Sequence, residues 1–382
     1  MTAVLLYDPK GARYQRNLLG LSVQDRLERS LLRDGAGSVQ HISAHNFVNG
    51  PVLLVPSTLV GTSQSLKALV HGRGIAKFEI GGAPVLRLDS MHSIPTNALN
   101  DLESWIQDGP FPVATVDGEL INVTNKATAK EATAFLLRSL RKAEDGLISR
   151  SLNRPVSLFT TRILAQTSIT PNQWTVFTGI LGVIGCLVMA QGGFWALTLG
   201  AFLIHMSSVF DGCDGELARL KFQYSKVGEW LDTICDDVVN SSLMLGLGLG
   251  IAATTGQEFY ATLGITAVFL NLSYAGVVYY YLYTQTGTGY ALDFKWWFES
   301  EANNAKGLSE NSGPLGALML MVRRDFFVFL FFVLCALNVP QIALWLGFIG
   351  ALAMFTLSTF QTVIIPVRRR SRNRRHILND AE

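Results

Sequence analysis

Four aspartates stand where the chain is otherwise most apolar. Asp211, Asp214, Asp232 and Asp236 are three, eighteen and four residues apart, with GAFLIHMSSVF before the first and LMLGLGLGIAA soon after the last. On α-helices the first two share a face (i, i+3), and so do the last two (i, i+4). An unpaired carboxylate near a bilayer interior is costly, so acids in such surroundings face the protein interior and mark a functional site. Four carboxylates converging beside water suit hard divalent cations, which take oxygen ligands. A plainer arrangement gives the same composition: a solvated helix boundary where the acids only pair with Arg219, Lys221 and Lys226.

The 382 residues leave room for two domains. Hydrophobic residues make up 49% and charged residues 16%, averages that conceal a division. The N-terminal part is mixed and ordinary, whereas most later residues fall into long apolar runs that read as membrane spans. The net charge of +2 says little by itself; the placement of the positive residues says more, and no nucleic-acid partner is expected. Cys186, Cys213, Cys235 and Cys335 lie in or beside apolar runs without metal-ligand spacing, so buried free thiols are expected. The apolar run after Met1 is too short for a signal peptide, which predicts a cytoplasmic amino terminus.

Residues 1–130 read as a soluble α/β domain. Strand-like runs occur at Ala3–Tyr7, Val52–Val55, Lys77–Ile80, Val85–Leu88 and Val113–Val116. Helical candidates lie at Val23–Arg33, Ser63–Val70 and Asn97–Gln107. Their alternation predicts a mainly parallel sheet covered by helices. No G-x-G-x-x-G or G-x4-G-K-[ST] loop follows the first strand, and Gly35–Gly37 and Gly81–Gly82 read as turns. His41 and His45 sit four apart with no third ligand at sensible spacing, so they read as surface or packing residues. No catalytic role is assigned to this domain.

From Lys126 the pattern turns helical, with Ala134, Leu137, Leu140 and Ala143 as the apolar stripe. Within the 131–168 linker, an amphipathic segment then sets Arg150, Arg154 and Arg162 among Leu152, Leu158, Phe159 and Ile163. Such a segment suits the membrane interface, with its basic groups toward lipid phosphates; a plain interdomain helix is the alternative. Six apolar stretches follow near 172–190, 193–216, 228–252, 257–283, 325–340 and 342–365, in a membrane domain spanning 169–366. Six spans place Arg150–Arg162, Lys221, Lys226, Arg323, Arg324 and the basic tail (367–382, containing Arg368–Arg375) on one side. The positive-inside rule makes that side cytoplasmic, with both termini there and the chain integral to the cytoplasmic membrane. The connection from Thr284 to Val322 carries Trp296, Trp297 and Phe298, suited to the interface.

The aspartates belong to a longer pattern, D-x2-D-G-x2-A-R-x8-G-x3-D-x3-D, met by Asp211, Asp214, Gly215, Ala218, Arg219, Gly228, Asp232 and Asp236. Eight specified residues within 26 positions resemble the signature of the CDP-alcohol phosphotransferases (CDP-alcohol phosphatidyltransferases), integral membrane enzymes. Thr170-Pro171-Asn172 is similar to that family's T-P-N at the start of the first span. The resemblance implies attack of an alcohol on the β-phosphorus of a CDP-alcohol, releasing CMP. It also implies two Mg2+ or Mn2+ ions held by Asp211, Asp214, Asp232 and Asp236, Asp236 as base toward the acceptor hydroxyl, and a homodimer. Asp237 is adjacent but about 100° round the helix, a weaker candidate. Gly215 and Gly228 suit close approach of nucleotide or helix, and Ala218 leaves space for cytosine. Arg219 suits phosphate or a motif acid, and Asn172 a nucleotide contact. Pro171 suits a first helical turn, and Thr170 reads equally as a helix cap. Arg323 and Arg324 open the fifth span, where they can meet either an acceptor phosphate or lipid headgroups.

The segment Asp145–Ser157, the following TPNQ and RRDFFVFLFF look most like the di-myo-inositol-phosphate-phosphate synthase-like branch. There a cytidylyltransferase domain is often fused ahead of the membrane domain. This chain lacks a glycine-rich basic loop after Ala3–Tyr7, and Pro56-Ser57-Thr58 stands where such enzymes place a metal-binding acid. A degenerate nucleotidyltransferase-like domain for docking or stability is therefore expected. Inositol phosphate, glycerol phosphate and a lipid hydroxyl all remain open as acceptor. Two other classes also place acids in membranes: a transporter with a cation site, and an inactive scaffold.

Overall fold

In the computed structural model, residues 2–9, 17–42, 50–89, 98, 101–141, 148–294, 296 and 323–364 are described. His45, Ala143, Trp297, Phe298 and the basic tail lie outside them, as does most of the Thr284–Val322 connection. The chain divides into two compact units. The first is Met1–Leu140 with Ala165–Thr167 and Leu220–Phe222; the second is Arg141–Leu164, Ser168–Arg219 and Gln223–Glu382.

The first unit contains strands β1 (Ala3–Tyr7), β2 (Asn17–Leu18), β3 (Leu21–Ser22), β4 (Ser38–His41), β5 (Val52–Pro56), β6 (Leu59–Gly61), β7 (Ala76–Ile80), β8 (Ala83–Leu88) and β9 (Leu120–Asn122). Its helices are α1 (Val23–Arg33), α2 (Ser63–His71), α3 (Leu102–Asp108) and α4 (Lys126–Ser139). Five strands form a sheet in the order β4-β1-β5-β8-β7. β1 runs parallel to β4 and β5 (Val4 opposite Val39 and Leu53). β8 is antiparallel to both β5 and β7, so four strands point one way and β8 the other. The sheet is mainly parallel, as expected, with one reversed strand. The reversal is local: Gly81 and Gly82, both at positive φ, close a two-residue hairpin between Ile80 and Ala83.

Alternation along the strands covers both faces of this sheet. Val4, Leu6, Leu53, Val55 and Phe78 pack with Leu27 and Leu31 of α1 and Leu66 and Leu69 of α2. Leu5, Tyr7, Leu54 and Leu86 pack with Leu102 and Ile106 of α3. Val113–Val116, read as a strand, makes only an isolated bridge from Val113 to Lys77. Val113 is 68% exposed, while Ala114 and Val116 pack against the core of the sheet without extending the pairing into a strand. β4 was not foreseen: Ser38-Val39-Gln40-His41 has no apolar alternation, because an edge strand needs none. His41 sits there exposed, beside Gln24 at 2.5 Å. In α4 the buried face is Ala129, Ala132 and Phe135, with Leu140 just beyond, while Ala134 is exposed. The large Phe135 ring turns its own face inward in place of the predicted stripe.

The second unit contains α5 (Arg154–Leu164), α6 (Pro171–Met189), α7 (Phe194–Lys221), α8 (Lys226–Thr255), α9 (Glu258–Tyr281), α10 (Arg324–Ala336) and α11 (Pro340–Thr359). Five of these, α6 to α9 and α11, are long and apolar enough to cross a membrane by length and composition. α10, at the place of the fifth predicted span, has only 13 residues. That is about 20 Å of helix, short of the roughly 30 Å hydrocarbon core, so six full-length spans are not present among the described residues. The shared core includes Met189, Ile204, Leu243, Leu247, Phe331 and Leu344. All four cysteines are free; Cys235 is half-buried and the others buried.

α8 and α9 cross through glycines. A Cβ on Gly264 would lie 2.8 Å from the Met244 carbonyl oxygen and 2.9 Å from the Gly248 Cα, so only small residues permit this approach. Gly264→Val is expected to push the helices apart and destabilise by about 1–3 kcal/mol, as overpacking does. Thermal unfolding in detergent reads this as a lowered midpoint, and an unchanged midpoint would show the crossing to be loose.

The linker segment departs from expectation at one residue. Arg150 and Arg162 are exposed, but Arg154 is buried and paired with Glu216 at 2.5 Å rather than turned outward. Leu152, Val156, Phe159 and Ile163 are the exposed stripe. The buried partner, not the apolar pattern alone, sets the rotation of α5.

Candidate active site

α7 and α8 are consecutive, joined by residues 222–225, with Phe222 in the left-handed region (φ 56°). Ser225 caps α8, its Oγ accepting the Gly228 N–H at 2.9 Å. The turn leaves Asp211 and Asp214 near the end of α7 and Asp232 and Asp236 in the first turns of α8. One carboxylate oxygen from each of Asp211, Asp214 and Asp232 lies within 4.8 Å of the others, and all three residues are half-buried or more. Three hard anionic donors from two helices form a set that fits a divalent cation. Carboxylates this close repel one another, and a cation removes that cost.

The fourth aspartate is engaged differently. Asp236 Oδ1 accepts from Arg324 Nη1, and the same nitrogen donates to Asp211 Oδ2 at 3.0 Å. The expected four-acid cage is therefore a three-acid cluster with a guanidinium between its edge and Asp236. A guanidinium is always charged and suits carboxylates as a donor, which explains the pairing. Arg323, predicted alongside Arg324, turns instead to Asp325, with Nε 3.5 Å from Oδ1. Asp325 Oδ2 accepts from the Ser149 N–H at 3.1 Å. Asp237 faces away from the cluster, accepting from Tyr279 Oη at 2.5 Å.

The start of α6 borders the same region. Thr170 and Gln173 form a reciprocal cap, Gln173 N to Thr170 Oγ1 at 3.3 Å and Thr170 N to Gln173 Oε1 at 3.0 Å, with Pro171 in the first turn. Thr170 thus serves as a cap. Asn172 lies against Gly228, where a Cβ would sit 2.7 Å from Asn172 Oδ1. A Cβ on Gly215 would come within 3.4 Å of Arg219 Nη1. Ala218 and Arg219 are half-buried on α7, one turn beyond Asp214 and Gly215.

Two polar contacts escaped sequence reading. Thr175 Oγ1 donates to Asp214 Oδ2 at 2.5 Å, while the Gly215 N–H donates to Asp214 Oδ1, so both carboxylate oxygens are oriented. Thr175 is three residues after Asn172 and shares its helix face, a signal that a closer reading of α6 would have caught. Glu216 is the other, fully buried within the signature itself. Thr175→Val is expected to weaken divalent-cation binding about 10-fold, the lower end for lost outer-shell hydrogen bonds to metal ligands. Titration with Mn2+ followed by electron paramagnetic resonance measures it; wild-type affinity would deny Thr175 any orienting role.

Residues 168–353 match the model of the CDP-alcohol phosphatidyltransferase family. That stretch, just under half of the chain, is similar to the family throughout. A bifunctional IPC transferase and DIPP synthase of Archaeoglobus fulgidus is 34% identical over 162 residues, 41% of this chain and 32% of that protein. The protein of the same name from Thermococcus kodakarensis is 38% identical over 145 residues, 37% of this chain and 32% of its own length. An archaetidylinositol phosphate synthase of Pyrococcus horikoshii is 32% identical over 107 residues, 27% of this chain and 53% of that protein. The alignments span about a third of the length of the first two relatives. The family domain contains every aspartate of the cluster, together with Asn172, Gly228 and Arg324.

Proposed function

We propose that the chain is a membrane CDP-alcohol phosphotransferase, moving a substituted phosphate from a CDP-alcohol to a hydroxyl acceptor with release of CMP. The observation that carries this is the convergence of Asp211, Asp214 and Asp232 within 4.8 Å inside the family domain. The names of the relatives, synthases acting in inositol-containing products among them, favour an inositol phosphate acceptor over the other hydroxyl acceptors.

In this reading Asp211, Asp214 and Asp232 hold Mg2+ or Mn2+, which when bound neutralises pyrophosphate charge and acidifies a nearby hydroxyl. Two ions are expected, and Asp236 would be the residue to join Asp211, Asp214 and Asp232 in holding the second. Asn172, Asp211, Gly215, Ala218, Arg219 and Gly228 border the nucleotide, the glycines leaving room beside Asn172 and Arg219. Asp236 takes the acceptor hydroxyl proton as its oxygen bonds to the β-phosphorus. The bond from that phosphorus to the CMP oxygen breaks, and CMP leaves with the electron pair. Arg324, lying between Asp211 and Asp236, suits an acceptor phosphate better than Arg323, whose partner is Asp325.

The wider architecture follows the same reading. The protein is integral to the cytoplasmic membrane with both termini cytoplasmic, a juxtamembrane helix at α5, six membrane helices with α10 as part of the fifth, and a homodimer. The N-terminal unit is a degenerate nucleotidyltransferase-like domain. The test is CMP release from CDP-diacylglycerol, CDP-inositol and CDP-choline with Mg2+ or Mn2+ and a panel of acceptors. Turnover of one donor with an inositol phosphate supports the reading. Translocation of a bound CDP-alcohol without CMP would make the chain a transporter, and binding alone a scaffold.

A further inference from the structure

The turn of α7 that presents the aspartates is gripped from behind. Glu216 is two residues after Asp214, about 200° round the helix, so it points away from the acidic cluster. It is wholly buried, an expensive place for a carboxylate unless every lone pair is answered. α5 answers it with three donors: Arg154 Nη1 at 2.5 Å and Ser157 Oγ at 2.9 Å on Oε1, and Thr161 Oγ1 at 2.6 Å on Oε2. One turn back, Cys213 Sγ reaches the Ser157 carbonyl oxygen at 3.5 Å. The three donors recur at spacings of three and four, a single polar face of α5. That face is turned inward while the apolar residues face out.

Stability alone does not call for this arrangement. Replacing a buried ion pair with well-packed apolar side chains is often neutral or stabilising, and two apolar helices would adhere without it. Directional hydrogen bonds add something else: they define both the rotation and the height of α7. A cation site tolerates only about 0.5 Å or 10–20° of displacement in its ligands. We propose that Glu216 is a positioning residue, which through Arg154, Ser157 and Thr161 of α5 holds Asp211 and Asp214 in register for the divalent cation. This rests on the reading that those aspartates bind the cation.

The test uses the full-length protein in lipid nanodiscs, with Mn2+ affinity measured by electron paramagnetic resonance and thermal unfolding followed in parallel. Thr161→Val keeps the shape and loses the hydroxyl, whereas Thr161→Ser keeps the hydroxyl. The valine variant should bind Mn2+ about 10-fold more weakly with a lowered unfolding midpoint, since it leaves a buried acceptor without its donor, and the serine variant should restore wild-type affinity. Glu216→Leu combined with Arg154→Met should fold and yet lose at least as much affinity as Thr161→Val. Unchanged affinity in Thr161→Val and in the double variant would overturn the positioning role while leaving the cation site intact. Equal losses for valine and serine would mark disturbed packing and overturn it too. A wild-type protein that binds no Mn2+ would instead remove the cation reading itself, and this proposal with it.

Discussion

Asp236→Asn is expected to lower CMP release by about 10²- to 10⁴-fold, the contribution of a positioned general base, while affinity for the CDP-alcohol changes little. Asparagine keeps the size of the side chain and can still accept from Arg324, so the local fold should persist. What disappears is an anionic oxygen able to take a proton. Asp236 lies outside the three-acid cluster and shares Arg324 with Asp211, so removing its charge should spare the first cation. Steady-state rates and equilibrium binding of a non-reacting CDP-alcohol analogue separate the two effects. Near-normal turnover would take the base role from Asp236. Asp237→Asn is the control: that carboxylate is bound by Tyr279 on α9, and its loss should cost little turnover.

Asp214→Asn should weaken Mn2+ binding by at least about 100-fold, beyond the range seen when only an outer-shell partner is lost. Asp214 is the most buried of the cluster acids, with 9% of its surface exposed. It is also oriented on both sides, by Thr175 and by the Gly215 N–H. An amide in its place offers one neutral oxygen, and its NH2 group would meet the Gly215 N–H or the Thr175 hydroxyl. The cluster then loses a charge and a geometry together. Mn2+ titration reads the loss directly, and CMP release should fall with it at limiting cation. Binding equal to wild type would mean that the cation lies elsewhere.

Taken together, the two substitutions separate functions that the four aspartates share when seen only as letters. One variant should retain the cation and lose the proton acceptor; the other should lose the cation. That separation comes from Arg324, 88 residues from Asp236 along the chain, whose guanidinium divides the fourth acid from the other three.

Much of the architecture is legible in local chemistry. β1 and α1 have the predicted bounds, because Ala3–Tyr7 is β-rich and Ser22 supplies a cap accepting from Asp25 N. The long apolar helices and the placement of both aspartate pairs follow from hydropathy and from spacings of three and four residues. Periodicity was less dependable where weak signals compete. The alanine-rich α4 buries a different stripe, since alanines hardly distinguish one face from another and the single Phe135 decides. The 13 residues of α10 likewise fall short of the span that composition implied.

By itself the sequence determined which residues carry charge into an apolar region, and on which helix faces, because those are consequences of helical period and of the cost of an unpaired carboxylate. Only the tertiary structure decided which of those charges meet. Arg154 answers Glu216, Arg324 answers Asp236, and Thr175 orients Asp214, each across tens of residues. The reason is physical: a hydrogen bond acts over about 3 Å, and nothing in the order of residues along a chain records which distant side chains packing will bring that close.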